Sequence, residues 1–399
     1  MPGFELFGPA ERKEVNDVLE TGVLMRYGFD GMRNGKWKAK ELEAELRKTL
    51  KTDYAQLVSS GTAAVSVALA ASGVGAGDEV IMPTFTFVAS FEAIMMLGAI
   101  PVLVDIDDTL TLDPQAVEQA ITSKSKAVMV VQMCGSKGDM DKLKHICDKH
   151  NLLLIEDACQ AIGGSYKGKP LGSVGDLGCF SFDFVKTVTC GEGGAVITDN
   201  KKFYLNADHY SDHGHDHIGK DRGAETHPFL GYNFRISELH AAVGLAQIKR
   251  LDEFLSIQKK HYTILRDKLS EIPEITFRTV PKGGEESYAF LNFFLPDEEL
   301  TRKAHKALAE KGIDGCFYWY DNYWHYVRKW EHLKNGITLY KLPTEVEKSL
   351  KRIKEQKFPK SDHYIGRNIS CLIKLGWTEE DVIKRADLMA SVLLTVLNL

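Results

Sequence analysis

Hydrophobic positions along this chain fall into two rhythms. Short, mostly apolar runs read as strands: "QLVS" from Gln56, "EVIMP" from Glu79, "PVLVDI" from Pro101, "AVMVVQM" from Ala127, "LLLIED" from Leu152, "LGCFSFD" from Leu177 and "GAVITD" from Gly194. Several are nearly continuous in apolar residues, as strands buried on both faces are. In the sixth run Phe180, Phe182 and Phe184 alternate with Ser181 and Asp183, a period of two that predicts a strand with one face in a core. Helical stretches such as "TAAVSVALAASG" and "DMDKLKHICDKHN" lie between the runs. This alternation predicts an α/β fold with a mainly parallel seven-stranded sheet covered by helices. A long helix is predicted from Ser237 through "SELHAAVGLAQIKRLDEFL", with Ser237 as its N-cap. Beyond about residue 256 the texture becomes that of a smaller α+β domain, so the expected division is 1–255 and 256–399.

Composition narrows the function. With 44% hydrophobic and 26% charged residues, the chain reads as globular. A formal net charge of -5 leaves no basic excess to neutralise phosphates, which argues against a nucleic-acid partner. Seven cysteines without a C-x-x-C pair point away from a zinc site and a disulfide framework, and towards reduced thiols in a cytoplasm. Neither a signal peptide nor a membrane span is expected, and no metal.

The candidate chemistry gathers at strand ends. Lys186 follows Ser181 in "SFDFVKTVTCGEGG", and the glycines after it allow tight turns close to a ligand. A lysine at the end of a buried strand needs a partner, a lowered pKa or a covalent use; a solvated loop lysine is the alternative. Ser60-Gly61-Thr62 opens a helix, where free N–H groups favour an anion; an ordinary cap has the same letters. Glu156 and Asp157 end a strand, where parallel sheets bind ligands, or Asp157 caps the next helix. A buried carboxylate there calls for a cation, such as a protonated pyridine nitrogen. Phe87, in "PTFTFVAS", could stack on a flat ring or sit in the core. Asn233 and Arg235 precede the long helix, where they could reach an anion or cap it.

In order and spacing these pieces resemble the sugar aminotransferases of the DegT type. The resemblance is carried by "SSGTAA", "GDEVIMPTFTFVAS", "GAIPVLVDID", "LIEDACQAIGGSYKGKPLGSVGD", "FSFDFVKTVTCGEGGAVITD" and "GYNFRISELHAAVGLAQ", and covers nearly the whole chain. It implies pyridoxal 5′-phosphate (PLP) bound on the aspartate-aminotransferase (type I) fold. By the same resemblance Lys186 bonds covalently to the cofactor and shuttles protons, and Asp157 keeps the ring nitrogen protonated. Ser181 with the backbone of Gly61 and Thr62 would hold the phosphate, Gln160 would lie near the ring hydroxyl, and Phe87 against the ring face. Asn233 would reach the phosphate of the neighbouring subunit's cofactor in a homodimer with shared sites. Relatives with histidine in place of the lysine dehydrate sugars, so Lys186 favours transamination. A cofactor-binding regulator on the same fold would carry a DNA-binding domain, and the family pattern begins too near residue 1 to leave room for one. A NAD-binding α/β protein is disfavoured, since no G-x-G-x-x-G follows the first strand.

Three segments depart from the common family pattern: "MRYGFDGMRNGKWKAKELE" from Met25, "CFYWYDNYWHYVRKWEHLKN" from Cys316, and "RNISCLIKLGWTEED" from Arg367. They resemble members that aminate an 8-oxo sugar acid to 8-amino-Kdo for lipopolysaccharide, with L-glutamate as donor. A nucleotide-linked 3- or 4-keto sugar is the alternative acceptor. A sugar acid needs a cationic clamp, for which Arg26, Arg33, Lys36 and Arg328 are candidates, with His325 in the aromatic run. A solvated basic surface and a packed aromatic core are the competing readings of these segments.

Overall fold

The computed structural model describes residues 2–219 and 221–398. Seven strands form the large sheet: β1 (Tyr54–Val58), β2 (Glu79–Pro83), β3 (Ile100–Val104), β4 (Ser125–Val131), β5 (Leu153–Asp157), β6 (Leu177–Ser181) and β7 (Gly194–Thr198), in the order β1-β7-β6-β5-β4-β2-β3. Only β7 runs antiparallel to its neighbours, so the sheet is mainly parallel, as predicted.

Period-two alternation explains why near-continuous apolar runs were needed. Along β4 and β5, Met129 and Ile155 enter one core, while Val128, Val130 and Leu154 enter the other. The helix Gly61–Ala71 packs in the first core, and the helices Lys38–Leu50 and Glu238–Ile248 in the second. The same alternation sends Asp157 to the first face and Glu156 to the second.

The predicted strand through Phe184 stops earlier, at Ser181. Asp183 breaks it: its side chain accepts from the Val185 N–H (2.9 Å) and its carbonyl from the Lys186 N–H (3.0 Å). Phe184 therefore turns outward, half exposed, and stacks on Phe4 at 4.2 Å. The predicted long helix from Ser237 is two helices, Glu238–Ile248 and Leu251–Ser270. Ser237 caps the first, accepting from His240 N–H at 3.2 Å. The chain bends at Arg250, whose guanidinium is held by the Leu6 carbonyl (2.8 Å), Glu11 and Glu253.

A second, four-stranded antiparallel sheet joins Thr276–Phe277, Phe290–Phe294, Asn368–Leu372 and Cys316–Phe317. The helix Leu251–Ser270 runs through the expected boundary at residue 255. Its Leu251 packs in the large-sheet core, whereas Leu265 and Leu269 pack with the second sheet. Tyr326, Trp330, Val346 and Ile353 also pack into the first core of the large sheet, so much of the stretch after Phe317 leans on the larger half.

Candidate active site

The carboxyl ends of β4, β5 and β6 and the start of the helix Gly61–Ala71 enclose one pocket. Gly61, Thr62, Phe87, Asp157, Gln160, Ser181 and Lys186, named from the sequence, all line it. The loop bearing Lys186 is held from outside, since the Gly3 N–H donates to the Lys186 carbonyl at 2.9 Å.

Asp157 is 6% exposed and, among the described residues, forms no ion pair. Its Oδ2 accepts from Ser90 Oγ at 2.6 Å and its Oδ1 from the Cys159 N–H at 3.2 Å. With two neutral donors and no cationic side chain paired to it among the described residues, this buried carboxyl group has room for a cationic partner. Glu156, its neighbour, is satisfied elsewhere. It accepts from Gln132 Nε2 (2.6 Å) and from the N–H groups of Gly172, Val174 and Gly175 (2.8, 2.6 and 2.6 Å), which clamps the loop before β6. Sequence reasoning did not single out Ser90. Its signal was its place one helical turn beyond Phe87, in the quoted run "PTFTFVAS".

The helix Gly61–Ala71 is buried and capped by Ser60, whose Oγ accepts from the Ala63 N–H at 3.0 Å. First-turn N–H groups have no partner inside a helix, so those of Gly61 and Thr62 remain for an anion in the pocket. A Cβ on Gly61 would meet Ser181 Cβ at 2.6 Å and Ser181 Oγ at 2.9 Å. Glycine is therefore what allows the Ser181 hydroxyl and the helix N-terminus to converge. Gln160 is oriented by the Cys134 N–H, which donates to its Oε1 at 3.0 Å. Burial pushes the Cys159 thiol well above its ordinary pKa, so it acts as a neutral wall.

Phe87 caps this lining with an aromatic stack. Trp324 lies parallel to it at 5.9 Å and His325 sits 5.3 Å away. Burial, reinforced by the positive charge of Lys186, lowers the His325 pKa to about 3, so the imidazole is neutral. The aromatic run divides: Tyr326 and Trp330 are core residues, whereas Trp324 is exposed at this wall and Tyr323 is exposed beside Lys329.

The basic candidates are not brought to the pocket. Arg26, 4% exposed, pairs with Glu43 and reaches Gln56 Oε1 at 3.3 Å. Arg33 is buried against Trp37, donates to the Gly28 and Met25 carbonyls and lies 3.4 Å from Glu238. Lys36 pairs with Asp17 (2.6 Å) and Glu20 (3.1 Å), and the neighbouring Lys38 with Glu14 and Asp17. Arg328 lies over Tyr320 and pairs with Asp362 at 2.9 Å. In each case a nearby carboxylate takes the charge that a clamp would need. Asn233 is exposed outside the pocket lining, where its side chain accepts from the Arg235 N–H at 3.2 Å. Arg235 is drawn to the buried Asp212. Among the described residues, no group of three or more His, Cys, Asp or Glu could hold a metal ion, and no helix is long and apolar enough to cross a membrane.

The lining fits PLP. An N-terminal helix cup with a hydroxyl suits a phosphate, and an unpaired buried carboxylate suits a pyridinium nitrogen. An amine opens into the same space. Comparison with known proteins agrees. The DegT/DnrJ/EryC1/StrS aminotransferase family matches residues 8–341. An L-glutamine:scyllo-inosose aminotransferase of Streptomyces griseus is 40% identical over 268 residues, 64% of this chain and 63% of that protein, so the match spans under two thirds of its length. A GDP-perosamine synthase of Escherichia coli O157:H7 is 38% identical over 305 residues, 76% of this chain and 80% of that protein. Among solved structures, 3-amino-5-hydroxybenzoic acid synthase superposes with a TM-score of 0.81 at 29% identity, covering 98% of this chain and 97% of that one. The PLP form of Spr1654 from Streptococcus pneumoniae gives a TM-score of 0.80 at 25% identity with the same coverage. The chain therefore belongs to the DegT/DnrJ/EryC1/StrS aminotransferase family and is a PLP-dependent aminotransferase of the type I fold.

Proposed function

We propose that this chain moves an amino group from L-glutamate to the carbonyl of a sugar, with 8-oxo-Kdo as acceptor and 8-amino-Kdo as product. The observation that carries the transaminase reading is the convergence of Lys186, Asp157 and the Ser60-capped helix on one pocket. PLP, when bound, supplies a pyridinium ring that withdraws electrons from the carbon carrying the amino group. Lys186 holds the cofactor covalently at rest. Its free amine would be the base that takes the proton from the donor's Cα and, in the second half of the cycle, the acid that returns one. Asp157, oriented by Ser90 and the Cys159 N–H, keeps a proton on the ring nitrogen. The N–H groups of Gly61 and Thr62, with Ser181 Oγ, bind the phosphate. Phe87, backed by Trp324, covers the ring.

The choice of acceptor rests on the three segments that depart from the family pattern. A GDP-linked keto sugar is the second reading, favoured by the perosamine synthase relative, and L-glutamine is the second donor, favoured by the inosose aminotransferase. We assign the protein to the cytoplasm as a homodimer in which Asn233 completes the partner's phosphate site. Hybrid dimers of Asn233→Ala and Lys186→Ala chains would then regain activity that neither parent has, and an inactive, verified hybrid would overturn shared sites. The acceptor is tested by incubating the purified enzyme with either donor and 8-oxo-Kdo, a GDP-linked 4-keto hexose or a keto-inositol. Mass spectrometry then identifies the aminated product. Amination of the nucleotide sugar alone would remove the 8-oxo-Kdo assignment and leave transamination standing.

A further inference from the structure

Two cysteines that no step above uses face each other in the smaller sheet. Cys316 and Cys371 are cross-strand partners on antiparallel strands, and their Sγ atoms lie 2.7 Å apart. The Leu372 N–H donates to the Gly315 carbonyl at 2.8 Å, which makes 315/372 a hydrogen-bonded pair and 316/371 a non-hydrogen-bonded one. Cα atoms in such pairs are about 4.5 Å apart, inside the span a disulfide bridges. Among the described residues this is the one thiol–thiol contact.

The two thiols are not equivalent. Cys371 is fully buried, whereas Cys316 is half-buried and has the Arg385 guanidinium 3.9 Å from its sulfur. The hydrogen bond with Cys371, with help from Arg385, lowers the Cys316 pKa, and burial raises that of Cys371. A half-buried thiol of lowered pKa beside a fully buried second one is the arrangement of an attacking and a resolving cysteine.

We infer that Cys316 and Cys371 form a redox-modification site that closes reversibly into an intramolecular disulfide under hydroperoxides. The Cys316 thiolate attacks the terminal peroxide oxygen. The O–O bond breaks, and with hydrogen peroxide water leaves, giving a sulfenic acid. Cys371 then displaces that hydroxyl as a second water, so two thiols lose two hydrogens and the peroxide is reduced. A dithiol reductant reverses the link by thiol–disulfide exchange. The site adjoins the aromatic wall. Phe317 stacks on Trp319 at 4.7 Å, and the Trp319 ring lies 4.4 Å from His325.

The test is peptide mapping of the wild-type holoenzyme after graded hydrogen peroxide, with alkylation of remaining thiols. The expected result is one linked peptide pair joining Cys316 to Cys371, abolished by dithiothreitol, with Cys134, Cys147, Cys179 and Cys190 still alkylated. In Cys371→Ser, Cys316 should instead accumulate as a sulfenic acid trapped by dimedone. The inference is overturned if both cysteines remain alkylated while other thiols oxidise. It is also overturned if Cys316 passes to sulfinic acid with Cys371 free.

Discussion

Gly61→Ala separates the phosphate cup from the rest of the fold. Its new Cβ would sit 2.6 Å from Ser181 Cβ, so about 0.8 Å of relief is needed to reach the 3.4 Å at which contact becomes ordinary. Neither neighbour is free to move. Ser181 ends β6, paired to β7, and the helix start is fixed by the Ser60 cap and a buried helix. Overpacking of this kind costs about 1–3 kcal/mol. Part of that is offset in the apo fold, since alanine is up to about 1 kcal/mol better than glycine in a helix. Binding has no such offset, because the displaced N–H groups no longer converge with Ser181 Oγ. Cofactor affinity should fall roughly 5- to 150-fold, at about 1.4 kcal/mol per tenfold, while the apo fold loses no more than about 2–3 kcal/mol and its Tm falls by at most a few degrees. Titrating apo protein with PLP and following cofactor absorbance measures the first, and calorimetry of the same samples the second. An unchanged affinity would refute the claim that Gly61 and Ser181 share a phosphate site.

Ser90→Ala removes one of the two donors that aim Asp157, so donor half-reaction rates should fall by roughly tenfold, about 1.5 kcal/mol for a hydrogen bond to a charge. Single-turnover absorbance with glutamate checks this, and a normal rate would mean that Asp157 is held by other contacts. Glu156→Gln places an amide against three backbone N–H groups and should lower stability by about 1–3 kcal/mol, read as a drop in Tm, with the donor half-reaction nearly intact in the folded fraction. His217 bridges Asp208 and Asp212 at 2.9 Å each; burial alone would lower its pKa, but the two carboxylates raise it from 6.5 to about 9. A raised folded pKa contributes stability that is full below pH 6.5 and is lost as pH rises through about 9. Wild-type Tm should therefore fall across that window more steeply than that of His217→Gln, and parallel curves would contradict the assignment.

The sheet was readable because strands buried on both faces must be apolar almost throughout, and several of the seven runs kept that signature. The pocket was readable because its residues sit at strand ends and a helix start, positions that short motifs mark. Local sequence could not show where a rhythm would be interrupted. Asp183 ends β6 through an Asx turn, and Arg250 bends a helix by reaching back to Leu6, a contact across most of the chain. Charge was the poorest guide. Arg26, Arg33 and Lys36 are as cationic as a substrate clamp requires, but the carboxylates that take them, Glu43, Glu238 and Asp17, come from other elements. Ser90 was hidden for the opposite reason, since one hydroxyl in an apolar helix carries no pattern until Asp157 is placed beside it.

The chemistry proposed for this pocket depends on Lys186 carrying the cofactor. Borohydride reduction of the PLP-loaded enzyme, followed by peptide mapping, tests it most directly. The cofactor should be fixed to the peptide containing Lys186, and Lys186→Ala should lose both this label and turnover while still binding cofactor without a covalent bond. A label on another lysine, or full turnover in Lys186→Ala, would contradict it.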